Sequence, residues 1–263
     1  MPPSLILRSA VVLAVITAAA AGCSDNASDS EHAPTPTSTP AGIDAILQYT
    51  NRWIDNSSVD LMSAPGAFIR ATMESLARTS YGKGSGLEAV EDAGYPGFAR
   101  ALNGVIDPEV VGGNARKDQV QTGTLYFEVI RFSGDAEEFT AGVCTYGSMT
   151  AIKEWNGYKS SGRSFPSGSA TIFSFGPDRN LSVDQQVPPK IQQRGPANNP
   201  STDQFGTWVL TGIKILGADV DLPQCGRTLA PGTPQDAPED YYVTPDPPPA
   251  LPPSPGWPEG EGE

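Results

Sequence analysis

The spacing of apolar residues changes near residue 108, and this change restricts the fold more than any other feature of the sequence. Upstream, apolar residues recur every three to four positions, the spacing of amphipathic helices, over 42–55, 63–82, 86–94 and 95–106. The second segment has Ser63 and Pro65 where a helix would begin and Gly82 where it would end. The first part of the domain is therefore predicted to be helical.

Downstream of residue 108, short runs rich in β-branched and aromatic residues predict strands over 123–132, 137–150, 169–176 and 205–218. The residues Ser133 to Ala136 separate the first two runs and are typical of a hairpin turn. Helices followed by an antiparallel sheet predict an α+β fold. A β-sandwich with appended helices is the alternative.

Residues 1–22 have the composition of an export signal. One positive charge, Arg8, precedes an apolar run of about 14 residues. Such a run matches the core of a signal peptide and is too short to cross the ~30 Å hydrocarbon core of a membrane as a helix.

The residues Ala20-Ala21-Gly22-Cys23 resemble a bacterial lipobox. In proteins that carry this motif, the cysteine thiol receives diacylglycerol and the chain is cut just before it, so that acyl chains such as palmitate hold the protein to the membrane. Ala20 departs from the leucine that is more usual there. The style of the first 40 residues is similar to that of actinobacterial, mycobacterial-type cell-envelope lipoproteins. The resemblance implies lipidation at Cys23 and a location on the outer face of the cell membrane.

Both ends of the chain are predicted to be disordered, outside a globular domain at 42–230. Residues 24–41 are rich in Ser, Thr, Pro and Asp, and residues 231–263 hold 11 prolines, seven acidic residues and no Lys or Arg. Such compositions bury too little apolar surface to offset the entropy lost on ordering. The first segment would tether the domain to Cys23, and the second would be an acidic, proline-rich tail.

The net charge of −13 comes largely from these ends, which hold ten of the 30 acidic residues. No run of Lys or Arg is longer than two residues. A surface that binds nucleic acid needs a basic patch, so nucleic acid is excluded as a partner.

Cys144 and Cys225 remain when Cys23 is assigned to the lipid. An even number of cysteines in an exported chain predicts a disulfide, here closing a loop of about 80 residues. Two buried free thiols are the alternative.

The predicted order of helices and sheet is similar to the NTF2-like (cystatin-like) fold, which is common among exported actinobacterial lipoproteins. The resemblance covers residues 42–225 and implies N-terminal helices packed on a curved antiparallel sheet. In such a cone, aromatic side chains line a concave pocket for an apolar ligand. The candidates are Trp53, Phe68, Tyr126, Phe139, Tyr146 and Trp208.

Common catalytic motifs do not fit the domain. The one histidine, His32, lies in the tether, which excludes Ser–His and Cys–His catalysis and a histidine zinc site in the domain. Ser80 and Lys83 match the S-x-x-K pattern of penicillin-recognising enzymes but straddle the helix end at Gly82. The glycine-rich run 82–86 follows a helix, whereas a phosphate-binding loop follows a strand. We predict no cofactor, metal or catalytic set.

These observations favour a membrane-anchored, non-catalytic envelope lipoprotein whose domain binds an apolar ligand or an envelope protein. An envelope enzyme with an Asp/Glu-based site is one alternative, because catalytic carboxylates need not be adjacent in sequence. A scaffolding protein that binds partners through its proline-rich tail is the other.

Overall fold

Eight strands form one sheet in the computed structural model, which describes residues 42–104, 106–113, 119–161, 168–214 and 224–260. In chain order they are β1 (Leu47–Trp53), β2 (Gln121–Gly134), β3 (Phe139–Tyr146), β4 (Thr150–Glu154), β5 (Gly157–Ser160), β6 (Gly168–Pro177), β7 (Trp208–Lys214) and β8 (Tyr242–Thr244). Their spatial order is β7-β6-β3-β2-β4-β5-β8, with β1 beside β2. The β1–β2 pair is parallel and the other pairs are antiparallel.

The predicted signal peptide, Cys23 and the tether lie outside the described residues. Within the part of the chain that is described, no helix has both the length and the apolar character needed to cross a membrane.

Helices follow β1 and cover one face of the sheet, which confirms the α+β class. They are α1 (Ala64–Thr79), α2 (Gly86–Ala93) and α3 (Phe98–Ala101), with 3₁₀ turns at Gly42–Ala45, Pro108–Val110 and Val183–Gln185. Helix α1 begins as predicted: the Ser63 hydroxyl accepts a hydrogen bond from the Gly66 amide at 3.2 Å, and Pro65 lies in the first turn. Residues 86–93 of the predicted helix 86–94 are helical, whereas the predicted helix 95–106 forms only the single turn of α3 at Phe98–Ala101.

The prediction of a helix over 42–55 is wrong. The segment forms a 3₁₀ turn and then strand β1, in which Leu47, Tyr49, Asn51 and Trp53 are buried in strict alternation. Asn51 is the polar member of this buried row, and its presence hides the strand period in the sequence. The remaining apolar residues then fit a helical spacing equally well.

The main hydrophobic core lies between the helices and the sheet. Phe68 of α1 stacks on Phe175 of β6 with ring centroids 4.6 Å apart and meets Phe205 edge-on at 5.3 Å. Such pairs add directional preference to the burial of large apolar rings. The hairpin predicted around residues 133–136 is also present, with Gly134 of β2 paired to Phe139 of β3.

A second, smaller cluster lies on the opposite face of the sheet. It contains Tyr126, Tyr146 and Met149, and the predicted disulfide joins Cys144 of β3 to Cys225 beside them. The disulfide closes a loop of 81 residues, so it ties the segment after β7 to the central strands.

The C-terminal strap, residues 249–258, wraps around the free edge of β1. On the face of the smaller cluster, the Thr124 hydroxyl donates to the Pro249 carbonyl and accepts from the Leu251 amide, at 2.8 and 2.9 Å. At the edge, Trp53 N donates to Ser254 O at 2.7 Å and Ser254 N donates to Asn51 O at 3.2 Å. The strap therefore covers a strand edge that would otherwise be open to pairing with another chain.

The predicted disordered tail is thus wrong for the described residues up to Gly260. Composition suggested disorder because the segment has little apolar surface to bury, and its prolines cannot donate backbone hydrogen bonds. The strap instead serves as an acceptor: carbonyls of prolines 249, 252 and 255 accept bonds from Thr124, Arg52 and Arg70. Its one tryptophan, Trp257, is fully buried and supplies the apolar contact.

Candidate functional site

The six aromatic residues predicted to line a pocket are divided between the two faces of the sheet. Phe139 and Trp208 stack at 5.3 Å in the main core, where Phe68 also packs near Trp208. Trp53 stacks on Phe127 at 5.0 Å elsewhere in that core. The other two, Tyr126 and Tyr146, belong to the cluster around the disulfide. The structure therefore places the six in packed clusters on both faces of the sheet.

A carboxylate lies fully buried behind this core, at Glu74 of α1. Its Oε1 accepts from the Trp53 indole N–H at 2.7 Å, and its Oε2 accepts from the Trp257 indole N–H at 2.7 Å. The Tyr95 hydroxyl donates to the same Oε2 at 2.8 Å, and the Asn51 amide lies at 3.5 Å. Three parts of the fold, namely β1, the segment between α2 and α3, and the strap, thus donate to one side chain of α1.

Arg70, one turn earlier on α1, holds the strap by its backbone. Its guanidinium donates to the carbonyls of Gln193, Pro255 and Gly256 at 2.6 to 2.9 Å. The same group lies over the Trp257 ring at 4.0 Å, within cation–π range. A buried arginine therefore binds both the main chain and the aromatic ring of the strap.

Glu74 and Arg70 form a structural clamp rather than a reaction centre. Burial raises the pKa of the Glu74 carboxyl, with Arg70 and the three side-chain donors opposing the shift, and burial lowers the pKa of Arg70. Glu74 is only 1% exposed. A group so enclosed can stabilise the fold but offers a substrate no approach.

A cavity of about 410 Å³ opens at the end of α1, between the helix and the sheet. We call it the hydroxyl pocket, because hydroxyl-bearing side chains predominate in its wall. Its lining residues are Tyr49, Ala77, Ser80, Tyr81, Gln121, Leu125, Thr145 and Thr150.

Strand register brings the pocket residues together from distant parts of the chain. Leu47 of β1 is paired with Gln121 of β2, and Tyr49 is paired with Gly123. Because side chains two positions apart point to the same face, Tyr49 and Gln121 both lie on the helix-covered face. Helix α1 ends at Thr79, and Ser80 and Tyr81, which follow it, contribute to the pocket wall.

Two buried polar atoms in the pocket wall have no hydrogen-bond partner among the described residues. They are the Tyr49 hydroxyl and the Gln121 side-chain nitrogen, and each residue is only 6% exposed. An unsatisfied buried polar group costs about 1–3 kcal/mol. Both residues line this cavity, although the two atoms themselves have less than 1 Å² of accessible surface.

The hydroxyl pocket is uncharged. None of its eight lining side chains is acidic or basic. Burial raises the pKa of Tyr49, against an opposing effect of Arg78, and burial also raises the pKa of Tyr81. Both phenols therefore stay neutral and able to donate a hydrogen bond at physiological pH.

Ser80 contributes to the pocket without the partner that the S-x-x-K pattern requires. It follows the last residue of α1, and the Lys83 ammonium lies 3.5 Å from the Asp92 carboxylate on α2. This geometry agrees with the sequence argument against a penicillin-recognising site.

A second cavity, of about 570 Å³, forms a groove beside the strap. Trp53 lines it together with Asp55, Asp60 and Arg194. The Asp60 carboxylate accepts from the Met62 amide at 2.8 Å, which fixes its position in the turn before α1. Two carboxyl groups, those of Asp55 and Asp60, thus line one groove.

Across the described ranges, no three His, Cys, Asp or Glu side chains come together in a group that could hold a metal ion. Comparison of the chain with models of protein families, with curated proteins and with solved structures gave no match to any of them.

Sequence reasoning missed Tyr49, Gln121 and Glu74. Tyr49 was assigned to a helix, and Gln121 lies just before the first predicted strand. Glu74 lies in a correctly predicted helix, where a carboxylate flanked by apolar Phe68, Ile69 and Met73 was the available signal of a buried charge. The partners of all three lie far away in sequence.

Proposed function

We propose that this protein is an exported, lipid-anchored binding protein of the cell envelope, and that its hydroxyl pocket holds a small uncharged ligand. The observation that carries the ligand-binding proposal is the pair of unpartnered buried groups, Tyr49 OH and Gln121 Nε2, in one cavity wall. If the two side chains turn toward the cavity, a ligand that supplies acceptors to both atoms would recover the free energy lost by leaving them unsatisfied.

The chemistry of the wall defines the ligand class. A wall of hydroxyl and amide groups without charge favours a neutral molecule with several hydroxyl or amide groups, such as a sugar unit. Ala77 and Leu125 add small apolar surfaces that suit the carbon face of such a ring. An anion would find no opposite charge in the wall.

The proposed location depends on the lipobox resemblance at residues 20–23. The disulfide between Cys144 and Cys225 supports it, because disulfides persist in oxidising compartments outside the cytoplasm. A chain anchored through diacylated Cys23 would be stably held, since two acyl chains suffice where one does not.

The NTF2-like architecture remains part of this proposal. Helices on one face of a largely antiparallel sheet support it. Strand β1 precedes the helices, which departs from the helices-first order on which the resemblance was based.

An envelope enzyme is the second candidate, carried by Asp55 and Asp60 in the groove beside Trp53. Acid–base hydrolysis of a glycoside typically requires two carboxyl groups that flank the substrate in one cleft. Asp55→Asn and Asp60→Asn would each abolish such an activity, while leaving ligand binding in the hydroxyl pocket unchanged.

The test of the binding proposal uses two variants that keep the shape of the pocket. Tyr49→Phe and Gln121→Leu remove the unpartnered polar groups. Native mass spectrometry of the envelope-purified protein should show a neutral adduct in the wild type and none in the double variant. Titration with N-acetylglucosamine should shift the Gln121 side-chain amide resonance, whereas a fatty acid should not.

The stability of the ligand-free protein provides a matched control. Tyr49→Phe should leave the free energy of unfolding unchanged or raised, because it deletes an unsatisfied hydroxyl. Tyr146→Phe should lower it by about 1–2 kcal/mol, because the Tyr146 hydroxyl donates to Glu128 at 2.8 Å. A wild type without any adduct, together with an unmoved Gln121 amide, would overturn the proposal.

A further inference from the structure

Trp155 is almost completely exposed, at 96% of its free surface, whereas Trp53, Trp208 and Trp257 are at most 8% exposed. It lies in the two-residue loop between β4 and β5, where Glu154 is paired with Gly157. A tryptophan ring offers 150–250 Å² of largely apolar surface. Almost none of the Trp155 side chain is buried within the domain.

The loop that carries Trp155 is followed by Gly157, the first residue of β5, where the backbone conformation requires glycine. Gly157 has a φ of +142°, and a Cβ there would lie 2.4 Å from the Thr244 carbonyl oxygen, so the turn can close only with glycine. Strand β8 lies beside this hairpin, and its Val243 is 42% exposed and paired with Lys159 of β5. Tyr241 precedes β8 and lies farther from the tip, where the Lys159 ammonium is 5.1 Å from its ring centroid. We call Trp155 and Val243 the hairpin tip surface.

A row of residues paired across neighbouring strands shows where the hairpin tip lies relative to the N-terminal end of β1. Across the sheet, Leu47, Gln121, Ile152, Lys159 and Val243 are consecutive partners. Strand β1 starts at this row and runs away from it, whereas β4 runs past it toward Trp155. The chain before Leu47 and the hairpin tip therefore leave the sheet at the same end. The β1 and β4 backbones lie about 10 Å apart there.

We propose that the hairpin tip surface lies in the head-group region of the membrane to which the protein is anchored. The inference rests on the proposed lipid anchor at Cys23, since the tether from that residue joins the domain at this end of the sheet. Trp and Tyr are the side chains that favour the membrane–water interface. Lys153 of β4 is exposed and can extend its ammonium group toward water beside it, whereas the Lys159 ammonium lies 3.8 Å from the Glu154 carboxylate.

The contact would set orientation rather than affinity. A tether of residues 24–41 would span up to ~55 Å if extended at about 3.1 Å per residue, so the anchor alone would not fix the orientation of the domain. The apolar tip would fix it. The hydroxyl pocket, which contains Gln121 of the same row, would then open close to the membrane surface.

The fluorescence of Trp155 can report on the position of the hairpin tip, because the other three tryptophans are buried. The full-length lipidated protein is reconstituted into phosphatidylcholine vesicles with and without bromine atoms near the head group. Bromine should quench the emission of the wild type, and the quenched component should be lost in Trp155→Ser. The three buried tryptophans, which both proteins share, supply the unquenched background.

A control places the reporter at the other end of the sheet. Val183 is 91% exposed and follows the end of β6, which pairs with β3 near Gly134, roughly 40 Å along β2 from Gln121. In the Trp155→Ser background, Val183→Trp should not be quenched. Equal quenching of both reporters would overturn the inference, because it would mean that the domain has no preferred orientation.

Vesicle flotation separates the two proposals. A protein that floats with vesicles but whose Trp155 is unquenched overturns the membrane contact alone. A protein that does not float overturns the anchor and the inference together. Quenching absent on vesicles, with a blue shift of Trp155 emission on isolated cell-wall glycan, would assign the surface to a glycan and likewise overturn the inference.

Discussion

The indole nitrogen of Trp257 lies 2.7 Å from Oε2 of Glu74, although 183 positions separate the two residues in the chain. This bond joins the C-terminal strap to helix α1 behind the main core. Because the Trp53 indole donates to the other carboxylate oxygen, Glu74 joins the strap, the helix and strand β1.

Glu74→Gln is expected to lower the free energy of unfolding by about 2–3 kcal/mol. An indole nitrogen can only donate, and the amide that replaces one oxygen would present its own N–H groups to a donor. Denaturant unfolding followed by circular dichroism measures the change. Glu91→Gln, on the exposed face of α2, should be neutral within about 0.5 kcal/mol. Equal effects of the two substitutions would contradict the clamp.

Trp257→Ala is expected to lower the free energy of unfolding by about 3–5 kcal/mol, because it leaves a cavity and removes a donor from Glu74. Amide exchange should also quicken in β1, whose edge the strap covers. Trp155→Ala is the matched control, since its ring is 96% exposed and its loss should change stability little. A Trp257→Ala protein as stable as the control would show that the strap is not anchored.

Loss of the disulfide, in the double variant Cys144→Ala/Cys225→Ala, is expected to lower the free energy of unfolding by about 4 kcal/mol. A closed loop of 81 residues restricts the unfolded chain by roughly that amount on the loop-entropy model. Unfolding of the wild type in the presence of a reductant should give the same decrease. An oxidised wild type that matches its reduced form would refute the prediction.

Asp135→Ala is expected to weaken the β2–β3 hairpin in a pH-dependent manner. The Asp135 carboxylate accepts from the amides of Glu137 and Glu138 at 2.9 and 3.2 Å, and these bonds lower its pKa in the folded state. A lowered folded-state pKa gives a stabilising contribution that is present above the ordinary pKa of about 3.9 and is lost as pH falls through the folded value.

The difference in Tm between wild type and Asp135→Ala should therefore be largest near neutral pH and shrink as the solution is acidified below pH ~4. Asp236→Ala, which removes an exposed carboxylate, provides the comparison. A difference that grows on acidification would reverse the predicted sign.

The correctly predicted parts of the fold depend on short-range sequence signals for helix starts and turns. Ser63 and Pro65 start α1, and the turn at residues 133–136 joins β2 to β3; each signal acts within a few positions. The disulfide followed from counting cysteines once Cys23 was assigned to the lipid. None of these inferences required knowing which distant segments meet.

The features that sequence analysis missed depend on pairing between segments that are distant in the chain. Strand β1 contacts Glu74 through the Asn51 amide, and the strap contacts the same carboxylate through the Trp257 indole. In the sequence alone, Asn51 interrupts an apolar pattern, and Trp257 is an isolated aromatic residue among prolines. Neither position indicates its distant partner. The hydroxyl pocket likewise depends on the register that pairs Leu47 with Gln121, and a single sequence contains no record of register.

The strap also fixes when folding can finish. A chain that lacks residues 249–258 has neither Trp257 nor the Pro255 and Gly256 carbonyls, so Glu74 and Arg70 of α1 would be without these partners. Because synthesis runs from the N-terminus, the strap is the last of these segments to emerge from the ribosome. Helix α1 is therefore expected to complete its packing only after synthesis of the strap.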